Sequence, residues 1–222
     1  MFADYSWSEL GSIFAMQGFA GLVLFSVLVL MALGLAIIFG QMGVINMAHG
    51  EFMILGAYVT YLVAGFFEAF LPALVPISFF VAVVLAFFAS GALGVAVEMS
   101  LIRFLYKRPL DTLLATWGLS LILQQTYRTI FGAREVGVTL PSWMMGSLPL
   151  TDIIEIPING LIVMAITLLI TLGVYLVMFR SRLGAQTRAV VQNRTMAGAV
   201  GIDTEKVDRM TFGLGCGIAG VA

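Results

Sequence analysis

Charge is scarce in this sequence and unevenly placed. Charged residues are 10% of the 222 and hydrophobic residues 61%, where soluble domains carry about 25% charge. A mean hydropathy of +1.07 excludes a soluble globular fold and makes the chain an integral membrane protein. No lysine or arginine precedes Arg103, and nine of the eleven lie within residues 103–108 and 180–209. With a formal net charge of -1, such blocks report membrane topology rather than a nucleic-acid partner. The single cysteine, Cys216, lies in a glycine-rich apolar run, which excludes an intrachain disulfide and suggests neither thiol nor zinc chemistry. Residues 1–9 are acidic and lack the basic flank of a secretory signal, so the first apolar run is a span.

Apolar runs of membrane length are what the chain has instead. Residues 19–39 carry no charge, close to the ~20 residues that cross a hydrocarbon core. Residues 52–70, ended by Pro72 and Pro76, and residues 77–102, which run into Arg103, Lys107 and Arg108, give spans two and three. Residues 112–131 and 158–179 give spans four and five; between them residues 132–157, with three prolines, Trp143 and mixed charge, are too polar and broken to cross. Residues 212–222 are apolar and Gly-rich but short, and read as the first half of a sixth span. The expected fold is an all-α polytopic membrane protein, a single domain over residues 1–222 that is incomplete at its C-terminus, with about five complete spans and a truncated sixth. Basic loops face the cytoplasm. The two basic stretches are separated by two spans and so fall on the same side, which leaves the N-terminus outside.

One segment, residues 40–58, organises the rest. Gly40, Gly43 and Asn46 are poor helix formers ahead of His49, the sole histidine, and Glu51, so the helix should break and restart at about Gly50. Broken backbone at membrane depth survives only where protein or a watery cavity covers it, and in transporters it marks substrate sites. His49 and Glu51 are two apart, about 200° around a helix axis, which argues against a catalytic dyad. Two readings stand for them: interfacial polar groups bonded to the loosened backbone, or groups that line or gate a pathway. Gly50, Gly56 and Ala57 permit close helix contact.

In span four, Thr112, Thr116, Ser120, Gln124 and Arg128 recur every four residues and form one polar stripe. The stripe is either interhelical hydrogen-bonding glue or a wet face. Arg128 and Arg134 lie near its outer end, where they snorkel to headgroups or pair with Glu135. Residues 185–200 should form a cytoplasmic helix stopped by Gly201, with Asp203 or Thr204 capping the next. Ala189, Asn193, Met196, Ala197 and Val200 share a face while Arg188 and Arg194 point elsewhere. Such a helix either lies on anionic lipid or docks a partner protein.

The run Gly43-Val44-Ile45-Asn46-Met47-Ala48-His49-Gly50-Glu51-Phe52, followed by Gly56-Ala57-Tyr58, resembles the signature of the branched-chain amino acid and urea class of ABC-transporter permeases. Arg108-Pro109-Leu110-Asp111-Thr112-Leu113-Leu114-Ala115-Thr116-Trp117-Gly118 and the stretch from Arg188 to Gly201-Ile202 resemble the same class in the same order. Residues 46–52 and 113–125 look closest to its urea permeases. The resemblance implies a permease subunit of the bacterial inner membrane that moves a small polar solute, first urea and alternatively a branched-chain amino acid. It also implies a second permease, two cytoplasmic ATPase subunits that use ATP and magnesium, and a periplasmic solute-binding protein; this chain itself hydrolyses nothing and binds no cofactor or metal. Asn46, His49, Glu51, Thr116, Ser120 and Gln124 are then the expected substrate pathway. Arg188, Ala189, Asn193, Met196, Ala197 and Gly201 are the expected ATPase-coupling element within a loop over residues 180–209. A channel would explain the polar stripe but not a docking helix, and an intramembrane hydrolase lacks a paired acid, nucleophile or metal set.

Overall fold

The computed structural model describes residues 7–106, 108–134, 136–151 and 154–222. Lys107 of the first basic cluster, Glu135 and the first six residues, for which pairing or topology was expected above, lie outside the described residues.

Apolar runs with few interior breakers become long helices: α1 (Trp7–Met42), α2 (His49–Phe70), α3 (Val75–Ser100), α4 (Pro109–Phe131) and α5 (Ile158–Arg180). Proline lies in the first turn of both α3 and α4, where its missing N–H removes no helical bond. Among the described residues, four helical segments are long and apolar enough to cross a membrane: Leu10–Met42, His49–Phe70, Pro72–Phe104 and Ile158–Arg180. Five were expected. Helix α4 has 23 residues, length enough to cross, but its stripe of Thr, Ser and Gln with Asp111 and Arg128 lowers its apolarity. It lies beside α2 in the same direction, with Met47 against Thr116, Glu51 against Ser120, and the Tyr58 ring stacked on Phe131 at 3.9 Å.

Among its described residues the connection after α4 holds no helix of membrane length, as expected. It holds a hairpin that the sequence did not announce, β1 (Ser147–Thr151) antiparallel to β2 (Ile154–Pro157). Trp143 anchors the same loop by stacking on Phe80 and donating its indole N–H to Pro76 O at 2.9 Å.

The expected cytoplasmic helix is two helices, α6 (Arg182–Gln192) and α7 (Arg194–Ala199). Asn193 breaks it because its side-chain oxygen accepts from Met196 N–H at 3.0 Å, an N-cap that competes with helix continuation. Gly201 ends α7 at φ +90°, while Gly201 N–H and Ile202 N–H reach back to Gly198 O and Ala197 O. That is a Schellman ending, which requires the left-handed backbone glycine adopts freely. Asp203 then caps α8 (Thr204–Val221) by accepting from Lys206 N–H at 3.0 Å.

Helix α8 starts at the cap expected at Asp203 or Thr204 and carries the apolar residues 212–221 in its C-terminal part. It has 18 residues, about 27 Å at 1.5 Å each, and forms the centre of the bundle. Phe212, Cys216, Ile218 and Ala219 are fully buried. Its glycines let α1, α2 and α3 approach backbone to backbone: a Cβ on Gly56 would collide with Gly220 O, and one on Gly34 would lie 2.6 Å from Gly215 O. Small residues on α3, Ala86, Ser90 and Gly94, pack against Gly220 and Cys216 in the same seam. All of the described basic stretches lie at one end of this bundle, since Arg194 lies over the Tyr106 ring and Arg103 pairs with Glu205. The two basic clusters therefore share a side, as the span parity requires.

Candidate functional site

The break between α1 and α2 is partly covered by protein, its residues alternating between buried and exposed. Helix α1 ends with Gly43 at φ +64°, whose N–H closes on Phe39 O at 2.8 Å, and α2 restarts at His49, one residue earlier than expected. Within the break Val44, Asn46 and Ala48 are buried while Ile45 and Met47 are exposed. Asn46 holds the turn through Oδ1, which accepts from Ala48 N–H at 3.0 Å. Its Nδ2 is buried without a partner.

Glu51 is the pivot. It is 6% exposed, and its Oε1 accepts from Ser120 Oγ at 2.8 Å and from Gln124 Nε2 at 2.7 Å. Gln124 also donates to Ser120 Oγ at 3.1 Å, and Tyr127 donates its hydroxyl to Glu51 O at 3.1 Å. Thr116 accepts from Met47 N–H at 3.2 Å. Thus Glu51 of α2 with Ser120 and Gln124 of the stripe, and Met47 N–H of the break with Thr116, form one polar junction between α2 and α4, whereas Asn46 bonds only within its own turn. The other carboxyl oxygen, Oε2, is buried and unpartnered. His49 leaves this junction and faces α1, where Nε2 lies 3.2 Å from Met31 O. A carbonyl only accepts, so Nε2 carries the proton and Nδ1 is a bare, buried lone pair. Opposite faces for His49 and Glu51 are what their spacing of two dictates, and no acid–base dyad forms.

Tyr127 completes the junction although it had not been singled out; its signal was its place three residues after Gln124 on the same face. Arg128, at the end of the expected stripe, has rotated out to exposure, because a four-residue repeat drifts around a 3.6-residue helix. Gly50 has open space around it, whereas Gly56 makes the close approach to α8.

The coupling residues divide. Ala197 is 4% exposed and packs with Val190 and Val207 in a small core that ties α6 and α7 to α8, so it is not on an open face. Ala189 and Ile202 border that core. Met196 of α7 at 61% and Val200 just after it at 74% exposure are the outward apolar groups; Arg188 and Asn193 are exposed. Arg188 folds back on α5, donating to Met178 O and lying over the Phe179 ring. Arg194, expected to point away from the shared face, pairs inward with Asp208, a fully buried carboxylate, at 2.5 Å. Gln41 Nε2 donates to the same carboxylate at 3.3 Å, and Tyr106 donates to Glu98 Oε1 at 2.9 Å. Burial, with the charges of Asp208 and Glu98 nearby, pushes the Tyr106 phenol up, so it remains a donor at neutral pH. These buried groups gave no sequence signal because they come from five separate segments.

Residues 18–222 match the family described as branched-chain amino acid transport system / permease component. The chain belongs to that family. The permease is 30% identical to the high-affinity branched-chain amino acid transport system permease protein LivH of Salmonella typhimurium, over 94% of this chain and 69% of that protein. It is 28% identical to the corresponding protein BraD of Pseudomonas aeruginosa, over 91% and 67%. A probable branched-chain amino acid transport permease protein LivH of Methanocaldococcus jannaschii is 27% identical over 96% and 66%. No solved structure matches. The resemblance to the permease class is thereby established, while these matches give no support to urea and favour the alternative expectation. Its relatives are transport permease subunits, and with its apolar helices the permease is a multi-pass inner-membrane protein.

Proposed function

We propose that the permease is the transmembrane subunit of an ABC importer for branched-chain amino acids and that the α2–α4 junction lies on the translocation route. The observation that carries this is Glu51: a buried carboxyl group whose Oε1 is held by Ser120 and Gln124 while Oε2 lacks a donor. An ionisable group is expensive at membrane depth and marks a pathway by default. A free acceptor beside fixed donors suits the ammonium of an amino acid better than it suits urea, which carries no charge. Asn46 and Thr116 lie at the same break and complete the route when α2 and α4 part, while His49 faces α1 and stays outside it.

The N-terminus faces the periplasm in this reading. A second permease subunit, two cytoplasmic ATPases using ATP and magnesium, and a periplasmic binding protein complete the transporter; the permease binds no cofactor itself. Helices α6 and α7 meet the ATPase through Met196 and Val200, with Arg188 and Asn193 at the rim. Uptake of labelled leucine and labelled urea, in cells carrying the permease with its transporter partners, tests the substrate. Leucine should accumulate and urea should not; urea uptake unaffected by excess leucine would reverse the assignment.

A further inference from the structure

We propose that the cavity at the basic end of the bundle, between the ends of α1 and α3, the start of α4, and α6–α7, binds the phosphate of an anionic phospholipid headgroup. The cavity has a volume of about 650 Å³, and Arg103, Arg108 and Arg194 all contribute to its wall. Among the described lining residues there is no carboxylate. Each arginine does meet an acid, but through one nitrogen: Arg103 Nη1 with Glu205 at 3.3 Å, Arg108 Nη1 with Asp111 at 3.5 Å, and Arg194 Nη2 with Asp208 at 2.5 Å. A guanidinium has five N–H donors. On Arg103, Nε and Nη2 are buried and have no partner, so the salt bridge with Glu205 leaves donors unused, and a phosphate would engage them as a bidentate pair only once the side chain turns that edge into the cavity.

Depth identifies the source of the phosphate. Met42 and Phe104 line the cavity, and they are the last residues of the apolar segments Leu10–Met42 and Pro72–Phe104. The cavity therefore sits where hydrocarbon gives way to headgroups. Phe104 is 77% and Val191 51% exposed, so an apolar wall stands beside the guanidinium groups. A free phosphate ion has no use for that wall, whereas a phospholipid places its glycerol and first methylenes against it. Basic pockets between spans at the cytoplasmic side are suited to anionic headgroups for this reason. The inference does not depend on which solute is transported.

The full permease, purified with its transporter partners in a neutral detergent, is titrated with phosphatidylglycerol, phosphatidylcholine or inorganic phosphate. Retained lipid is counted by native mass spectrometry and thermal unfolding is followed in parallel. Phosphatidylglycerol should be retained and raise the unfolding temperature, and phosphatidylcholine should do neither. Arg103→Gln and Arg108→Gln should each weaken phosphatidylglycerol retention at least fivefold. Arg108 is 76% exposed in its side chain, so its variant should fold even if the Arg103 variant does not. Equal retention of both lipids, or wild-type phosphatidylglycerol binding in the Arg108 variant, would overturn the proposal. If inorganic phosphate alone produces the full thermal shift and phosphatidylglycerol is not retained, the lipid assignment is overturned in favour of a soluble phosphate.

Discussion

Glu51 makes two kinds of contribution that a single substitution would confuse. Through Oε1 it satisfies Ser120 and Gln124; through Oε2 it offers an unpaired acceptor. Removing the side chain strands two buried or half-buried donors, at about 1–3 kcal/mol, so Glu51→Ala should lower the unfolding temperature of the purified permease as well as uptake. Glu51→Gln keeps an oxygen for both donors and changes only the free position and the charge. Its unfolding temperature should stay near wild type while leucine uptake falls at least tenfold. Full uptake by Glu51→Gln would reduce the junction to interhelical glue. Leucine at Ser120 is a poorer probe, because Ser120 is 7% exposed and the added bulk would cost about 1–3 kcal/mol in overpacking.

Among the elements, α8 shows that glycine acts here by position. Gly56 meets Gly220 O, so Gly56→Ala should force α2 off α8 and destabilise by about 1–3 kcal/mol. Gly65 lies on the same helix with open space around it, and Gly65→Ala should be neutral or stabilise by about 0.5–1 kcal/mol. Thermal unfolding of the two variants side by side checks the contrast; equal effects would deny the close packing. Coupling needs the same discrimination. A charge at Ala197 enters the core of α6–α8 and would disorder the element, whereas Met196→Glu changes an outward side chain. Met196→Glu should leave stability within about 0.5 kcal/mol and reduce ATPase co-purification and uptake together. Retention of both would place the contact elsewhere.

The same elements show how far local sequence carries the fold. Gly43 and Gly201 were readable as helix ends because a left-handed residue is a local demand that glycine meets. The stripe from Thr116 to Gln124 was readable because polar groups on a membrane helix must be answered by something, and its partner Glu51 had been noticed for the same reason. Asn193 was legible as a cap in principle, yet the amphipathic pattern runs through it and concealed the break. The central position of α8 was not legible, because it depends on glycines in four separate helices facing one another. Glu98, Tyr106 and Asp208 fall in the same class: each is unremarkable alone, and only the assembled bundle makes them one buried cluster.

At the scale of the whole molecule, orientation follows from which end carries charge. Arg103, Arg108, Arg180, Arg182, Arg188, Arg194 and Arg209 belong to the end where α1, α3 and α5 finish and α4 and α8 begin, while the β1–β2 hairpin lies beyond the opposite ends of α4 and α5. The positive-inside bias puts the first end in the cytoplasm and the hairpin in the periplasm. Met145 and Met196 report on the two sides, since both are exposed, at 69% and 61%, and neither makes an ion pair that a cysteine would break. The native Cys216 is fully buried and provides a low background. In intact cells opened only at the outer membrane, a thiol reagent that cannot cross the inner membrane should modify Met145→Cys. It should reach Met196→Cys only after the inner membrane is permeabilised. The reverse pattern would invert the molecule and move the α6–α7 element away from any cytoplasmic ATPase; modification of both in intact cells would mean that α5 does not cross.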